Sequence, residues 1–112
     1  MGTEPRLAAG LWVSAYLARL RLADIPAFVV RRGDETAGAI LIKVNTLDGQ
    51  ARLMQRSVDL MTGARRWVEL ATGAEPDVDG SVTKQAGFDP DLWVIEVEDR
   101  AGRDLLDEPG LA

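Results

Sequence analysis

Residues 39–44, Ala-Ile-Leu-Ile-Lys-Val, are apolar at both odd and even positions. Side chains of an extended chain alternate between two faces, so this run has no face to give to water. It predicts a strand near the centre of a sheet, around which the other segments must be arranged. Lys43 is the one charge it carries.

The flanking segments supply the rest of the sheet. Ala27–Arg32 is β-branched and aromatic, and Gly33-Asp-Glu-Thr-Ala-Gly38 has turn chemistry, which predicts a hairpin into the central strand. Asp48-Gly49 marks a second tight turn. Ala51–Val58 then alternates, with Arg52, Met54 and Arg56 on one face, and Arg65–Ala71 makes a fourth strand after Thr62-Gly63. Asp91–Glu98 places Trp93, Ile95 and Val97 on one face and Leu92, Val94, Glu96 and Glu98 on the other.

Two segments follow the helical period. Residues 6–24 carry one stripe of Leu7, Leu11, Ala15, Ala18 and Leu22 and another of Val13, Leu17 and Leu20, with Trp12 and Tyr16 between them. That is wider than a one-sided surface helix needs, so Trp12, Tyr16 and Leu20 are read as an interface to a second copy or another protein. Glu75–Gly87 is a shorter helix with acids in its first turn and Val78, Val82 and Ala86 four residues apart. The expected fold is α+β: a long N-terminal helix, a four-strand meander, a short helix and a final strand, in an antiparallel sheet of about five strands.

A chain of 112 residues is one domain by size, with its core over about 7–107 and a loose C-terminal tail. With 46% hydrophobic and 28% charged residues it is globular in composition. It has neither cysteine nor histidine, which removes thiol chemistry, zinc, haem and iron–sulfur ligation by the usual ligands, and every mechanism with a histidine base. No cofactor is expected. The apolar stretch from Leu7 to Ala18 is too short for a membrane span and lacks the flanks of a signal peptide, so the expected location is the cytoplasm.

Charge is uneven. Residues 1–74 carry ten Lys/Arg against seven Asp/Glu, a net of +3, and residues 75–112 carry three against eleven, a net of −8. Overall acidity disfavours non-specific nucleic-acid binding. Among candidate sites, Glu75, Asp77, Asp79 and Gly80 match the start of a calcium loop, but Ala86 stands where its bidentate Glu belongs. Asp89, Asp91, Glu96 and Glu98 form the densest acidic cluster and are the candidate metal ligands. With Lys43 beside them, Glu96 and Glu98 are also the candidate catalytic groups. The plainer expectation is that these carboxylates pair with Arg52 and Arg56 on a neighbouring strand. Arg32, Arg52, Arg56 and Arg66 are candidates for a small-anion site, and the tryptophans are read as packing.

Three segments, Leu11-Trp-Val-Ser-Ala-Tyr-Leu17, residues 30–40 and Asp89-Pro-Asp-Leu-Trp-Val-Ile-Glu-Val-Glu-Asp-Arg100, resemble a family of small uncharacterised bacterial proteins, the domain-of-unknown-function family numbered 1491. The resemblance covers about Leu7 to Asp107, implies a single-domain bacterial protein, and brings no catalytic residue with it. The function expected is therefore a non-enzymatic binding or regulatory module acting through protein contact, as a homodimer or with another protein. The alternatives are a divalent-cation enzyme at Glu96 and anion or nucleic-acid binding through the arginines.

Overall fold

The computed structural model describes residues 7–112. Arg6, the expected first residue of the long helix, lies outside the described residues. The elements run α1 (Ala9–Leu22), β1 (Ala27–Arg31), β2 (Ile40–Asn45), β3 (Gln50–Val58), β4 (Arg65–Ala74), α2 (Glu75–Phe88) and β5 (Trp93–Glu98). The fold is α+β, with two helices on a five-stranded sheet.

The strand order is β1-β5-β2-β3-β4. All six residues of β2 are buried, and it is the middle strand, as its two apolar faces require. β2, β3 and β4 form an antiparallel meander. β5, however, lies between β1 and β2, antiparallel to the first and parallel to the second, so the sheet is mixed. The expected hairpin of β1 with β2 does not form. β5 is itself apolar on both faces and needs a neighbour on each side, whereas β1 keeps Phe28, Val29 and Val30 exposed at an edge.

The Gly33–Gly38 segment is consequently a crossover pressed onto the start of β5. The Asp34 amide donates to the Asp91 carbonyl at 3.0 Å, and Trp93 Nε1 donates to the Asp34 carbonyl at 2.7 Å. A Cβ at either Gly33 or Gly38 would overlap the Asp91 carbonyl oxygen and crowd the Trp93 ring. Close approach of backbone, not a turn, is what requires glycine here.

α1 covers one face of the sheet. Trp12, Val13, Tyr16 and Leu20 pack on Ile40, Ile42, Val44, Trp93, Ile95 and Val97, while Leu11 and Leu22 of the outer stripe stay exposed. Residues 99–112 complete this layer and are not the loose tail expected. Leu106 and Leu111 are buried in it, the Tyr16 hydroxyl donates to the Asp104 carbonyl at 2.8 Å, and Trp67 Nε1 donates to the Leu111 carbonyl at 2.7 Å. On the other face Val78, Val82 and Ala86 of α2 lie over Leu41, Ala51, Leu53 and Val94. Among the described residues no helix is long and apolar enough to cross a membrane.

Candidate functional site

Sheet parity decides which charged groups meet. Leu41, Lys43 and Asn45 of β2 point to the α2 face, together with Val94 and Glu96 of β5, because Lys43 stands opposite Glu96 in the parallel register. α2 begins directly above them. Lys43 Nζ donates to Glu75 Oε2 and to Asp79 Oδ1, each at 2.6 Å, and lies 3.3 Å from Glu96 Oε1. Asn45 Nδ2 donates to Glu75 Oε2 at 3.0 Å and to Glu96 Oε2 at 3.2 Å. Glu75 and Asp79 are four residues apart on one helix, so both reach down from the same side.

Lys43 is only 4% exposed, and its charge has to be matched where it lies. Burial pulls the ammonium pKa down, but the hydrogen bonds it donates to Asp79 and Glu75 and the charge of Glu96 outweigh it and hold the group above its ordinary value. These contacts favour the protonated form of the lysine. Its ammonium occupies the point on which the three carboxylates converge. Three negative groups around one positive leave the cluster anionic, with Asp79 at its open side.

The other candidate residues are dispersed. Glu98 shares the α2 face with Glu96 two residues on, and its backbone amide donates to the Pro26 carbonyl. Asp89 and Asp91 lie in the turn before β5, away from the Lys43 cluster, and Asp89 Oδ1 accepts the Asp91 amide at 3.0 Å. Among the described residues no group of three or more acidic side chains is arranged to hold a metal ion. The start of the calcium-like motif is the first turns of α2, with Glu75 and Asp79 turned onto Lys43.

The expected pairing of Glu96 and Glu98 with Arg52 and Arg56 is not what the structure has. The arginines lie on the opposite, α1 face, since Arg52 is opposite Val44 across the β2–β3 ladder. Arg52 bonds Asp104 at 2.7 Å and the Gly102 carbonyl at 2.6 Å. Arg56 lies against both Trp12 and Trp67, its guanidinium carbon 5.2 and 4.8 Å from their ring centroids, which are themselves 5.2 Å apart. Arg32 pairs with Glu35 at 2.6 Å and lies over Trp93, and Arg66 is exposed on β4. The four arginines do not converge. Trp12, Tyr16 and Leu20, expected at an interface, are buried in the chain's own core, because the sheet takes that stripe of α1.

The fold and these positions can be set beside known proteins. The family model described as a protein of unknown function, DUF1491, matches residues 7–107. The chain belongs to the DUF1491 family. A crystal structure of a DUF1491 protein from Caulobacter crescentus CB15 superposes with a TM-score of 0.84 at 40% identity, covering 93% of this chain and 98% of that one. An NMR structure of a DUF1491 protein from the same organism gives 0.81 at 40% identity, covering 95% and 97%. A solution structure of a protein from A. tumefaciens gives 0.72 at 28% identity, covering 84% and 86%. No match was found among curated proteins.

In this DUF1491 chain the ion cluster gathers Glu75 and Asp79, whose local pattern resembles the start of a calcium loop, and Asn45, which no local pattern marks. The available signal was a charge, Lys43, inside a strand otherwise apolar on both faces. A buried ammonium needs carboxylates, and the acids at one end of a helix were candidates to supply them.

Proposed function

We propose that this protein is a non-enzymatic binding module that acts through protein–protein contact, as a homodimer joined along β1. The observation that carries this reading is three consecutive exposed apolar residues on an edge strand: Phe28, Val29 and Val30 are 47%, 38% and 52% exposed. Among the described residues the outer side of β1 has no strand partner, and an edge of this kind is a template for another strand.

Charge does not guard the edge. Arg31 is turned inward, donating to the Leu92 carbonyl at 2.6 Å and the Pro90 carbonyl at 3.2 Å. A second copy is the occupant that the strand itself suits. Antiparallel pairing centred on Val29 sets Phe28 opposite Val30 of the other copy and Arg31 opposite Ala27, so no two arginines face each other. The bulge between Val29 and Arg31 keeps the regular ladder short, so the apolar side chains contribute much of the contact.

A catalytic role for the Lys43–Glu96 cluster is disfavoured by its geometry, in which the lysine is held charged and each carboxylate around it is engaged. Sedimentation velocity across micromolar to millimolar concentrations tests the dimer. Wild type is expected to move from monomer to dimer, and Val29→Lys to stay monomeric. A wild type that is strictly monomeric throughout contradicts the reading.

A further inference from the structure

The hairpin that joins β3 to β4 ends in an apolar tip. The β2–β3 ladder stops at Leu41 and Gln55, whereas β3 and β4 stay paired as far as Val58 and Arg65, so the hairpin runs beyond the strand beside it. Residues 58–64 are exposed throughout. Leu60 and Met61, at 96% and 93%, are the most exposed large apolar side chains among the described residues, and neither belongs to a core cluster.

The turn is closed on itself. The Met61 and Thr62 amides donate to Asp59 Oδ1 at 2.8 and 3.3 Å, the Gly63 amide to the Asp59 carbonyl at 2.7 Å, and the Ala64 amide to Thr62 Oγ1 at 3.2 Å. Four consecutive N–H groups are thus satisfied without water, and an apolar medium would leave none of these four donors unmet.

Charge lies behind the tip. Asp59 is the one ionised side chain in 58–64, and its carboxylate is engaged in the turn. Next come Arg65 and Arg66, opposite Val58 and Ser57. Successive strand residues point to opposite faces, so one guanidinium stands on each side of the hairpin. Neither takes part in an ion pair among the described residues. Asp107 and Glu108 adjoin them on the Trp67 side, and Glu108 faces Arg19 at 3.7 Å. The acids around Lys43 lie past the far end of the ten-residue β4, roughly 30 Å away at strand spacing and about three Debye lengths at physiological salt.

We propose that this tip inserts into the surface of an anionic lipid bilayer. Leu60 and Met61 enter the acyl boundary, and Arg65 and Arg66 reach the headgroup phosphates on either side of the hairpin. A pocket in a protein partner would accept the two apolar side chains as well, but cations on both faces suit a surface that surrounds the tip. Two side chains are a small anchor, so the association is weak and reversible. The hairpin is at the opposite side of the sheet from β1, and the proposal does not depend on the homodimer.

Cosedimentation of the full chain with vesicles of phosphatidylglycerol and phosphatidylcholine in equal parts tests it. Wild type is expected to pellet at millimolar lipid in low salt, and to bind about tenfold more weakly to phosphatidylcholine alone. Leu60→Ser combined with Met61→Ser is expected to weaken binding about tenfold or more, with the melting temperature unchanged because neither side chain packs in the core. Arg65→Gln combined with Arg66→Gln is expected to weaken it about tenfold. A wild type that does not pellet with millimolar phosphatidylglycerol overturns the proposal and leaves the tip to a protein partner. So does binding that the Leu60 and Met61 double variant retains, or that is equal on phosphatidylcholine alone.

Discussion

Lys43 and Glu96 stand directly opposite each other on the parallel strands β2 and β5, with Nζ 3.3 Å from Oε1, beneath the first two turns of α2. This one pairing joins three elements. Lys43 reaches Glu75 and Asp79 above it, and Asn45 ties Glu75 to Glu96. The cluster fixes where α2 begins relative to the sheet.

Removing the lysine leaves Glu96 buried without its cation. A fully buried broken pair costs about 3–5 kcal/mol, but Glu75 and Asp79 are partly solvated, so Lys43→Met is expected to cost about 2–3 kcal/mol. Lys43→Met combined with Glu96→Gln is expected to be less destabilised than the sum of the two single changes. Urea denaturation of all four proteins measures the coupling.

At alkaline pH both Lys43 and Tyr16 act in one direction. The Tyr16 hydroxyl is pushed up by burial and then by the Asp104 carboxylate, while Arg52 opposes these. Lys43 is also raised on balance. A raised folded-state pKa gives stability that is complete below the unfolded value and is lost as pH rises through the folded one. With ordinary values of 10.0 and 10.5, stability is expected to fall progressively above about pH 10. Tyr16→Phe is expected to flatten part of that slope, which melts at several alkaline pH values will show.

Two glycine substitutions should have opposite signs. Gly38→Ala places a Cβ on the Asp91 carbonyl and against Trp93, and is expected to cost more than about 2 kcal/mol with a change in tryptophan fluorescence. Gly80 sits inside α2 with open space around it, so Gly80→Ala is expected to stabilise by about 0.5–1 kcal/mol. Thermal melts of both variants give the signs.

Leu111→Ala tests the packing of the C-terminal segment. Leu111 is buried beside α1 and its carbonyl accepts the Trp67 N–H. The variant is expected to lose about 2–4 kcal/mol. A loss near zero in chemical denaturation contradicts the packed arrangement.

Local patterning revealed most of the elements and left their pairing unresolved. Ile40–Val44 declared itself the central strand because neither face could meet water. The alternation of β3, the Asp48-Gly49 turn and the period of α2 were likewise legible over a few residues. The insertion of β5 beside β1 was not, because Gly33–Gly38 reads as a hairpin turn until Asp91 and Trp93, more than fifty residues on, are known to lie against it. In α1 both stripes are apolar, and only the sheet chooses Trp12, Tyr16 and Leu20. The partners of Lys43 lie 32, 36 and 53 residues away. Without the β2–β5 register, Glu96 could be assigned to the arginines of the wrong face.

The Lys43 ammonium itself occupies the point of convergence of Glu75, Asp79 and Glu96, where a divalent cation would otherwise sit. Thermal unfolding of the wild type with and without millimolar manganese tests this occupancy most directly, since any ligand of the folded state must raise its stability. The melting temperature is expected not to change. A rise of several degrees that Glu96→Gln abolishes would contradict the account.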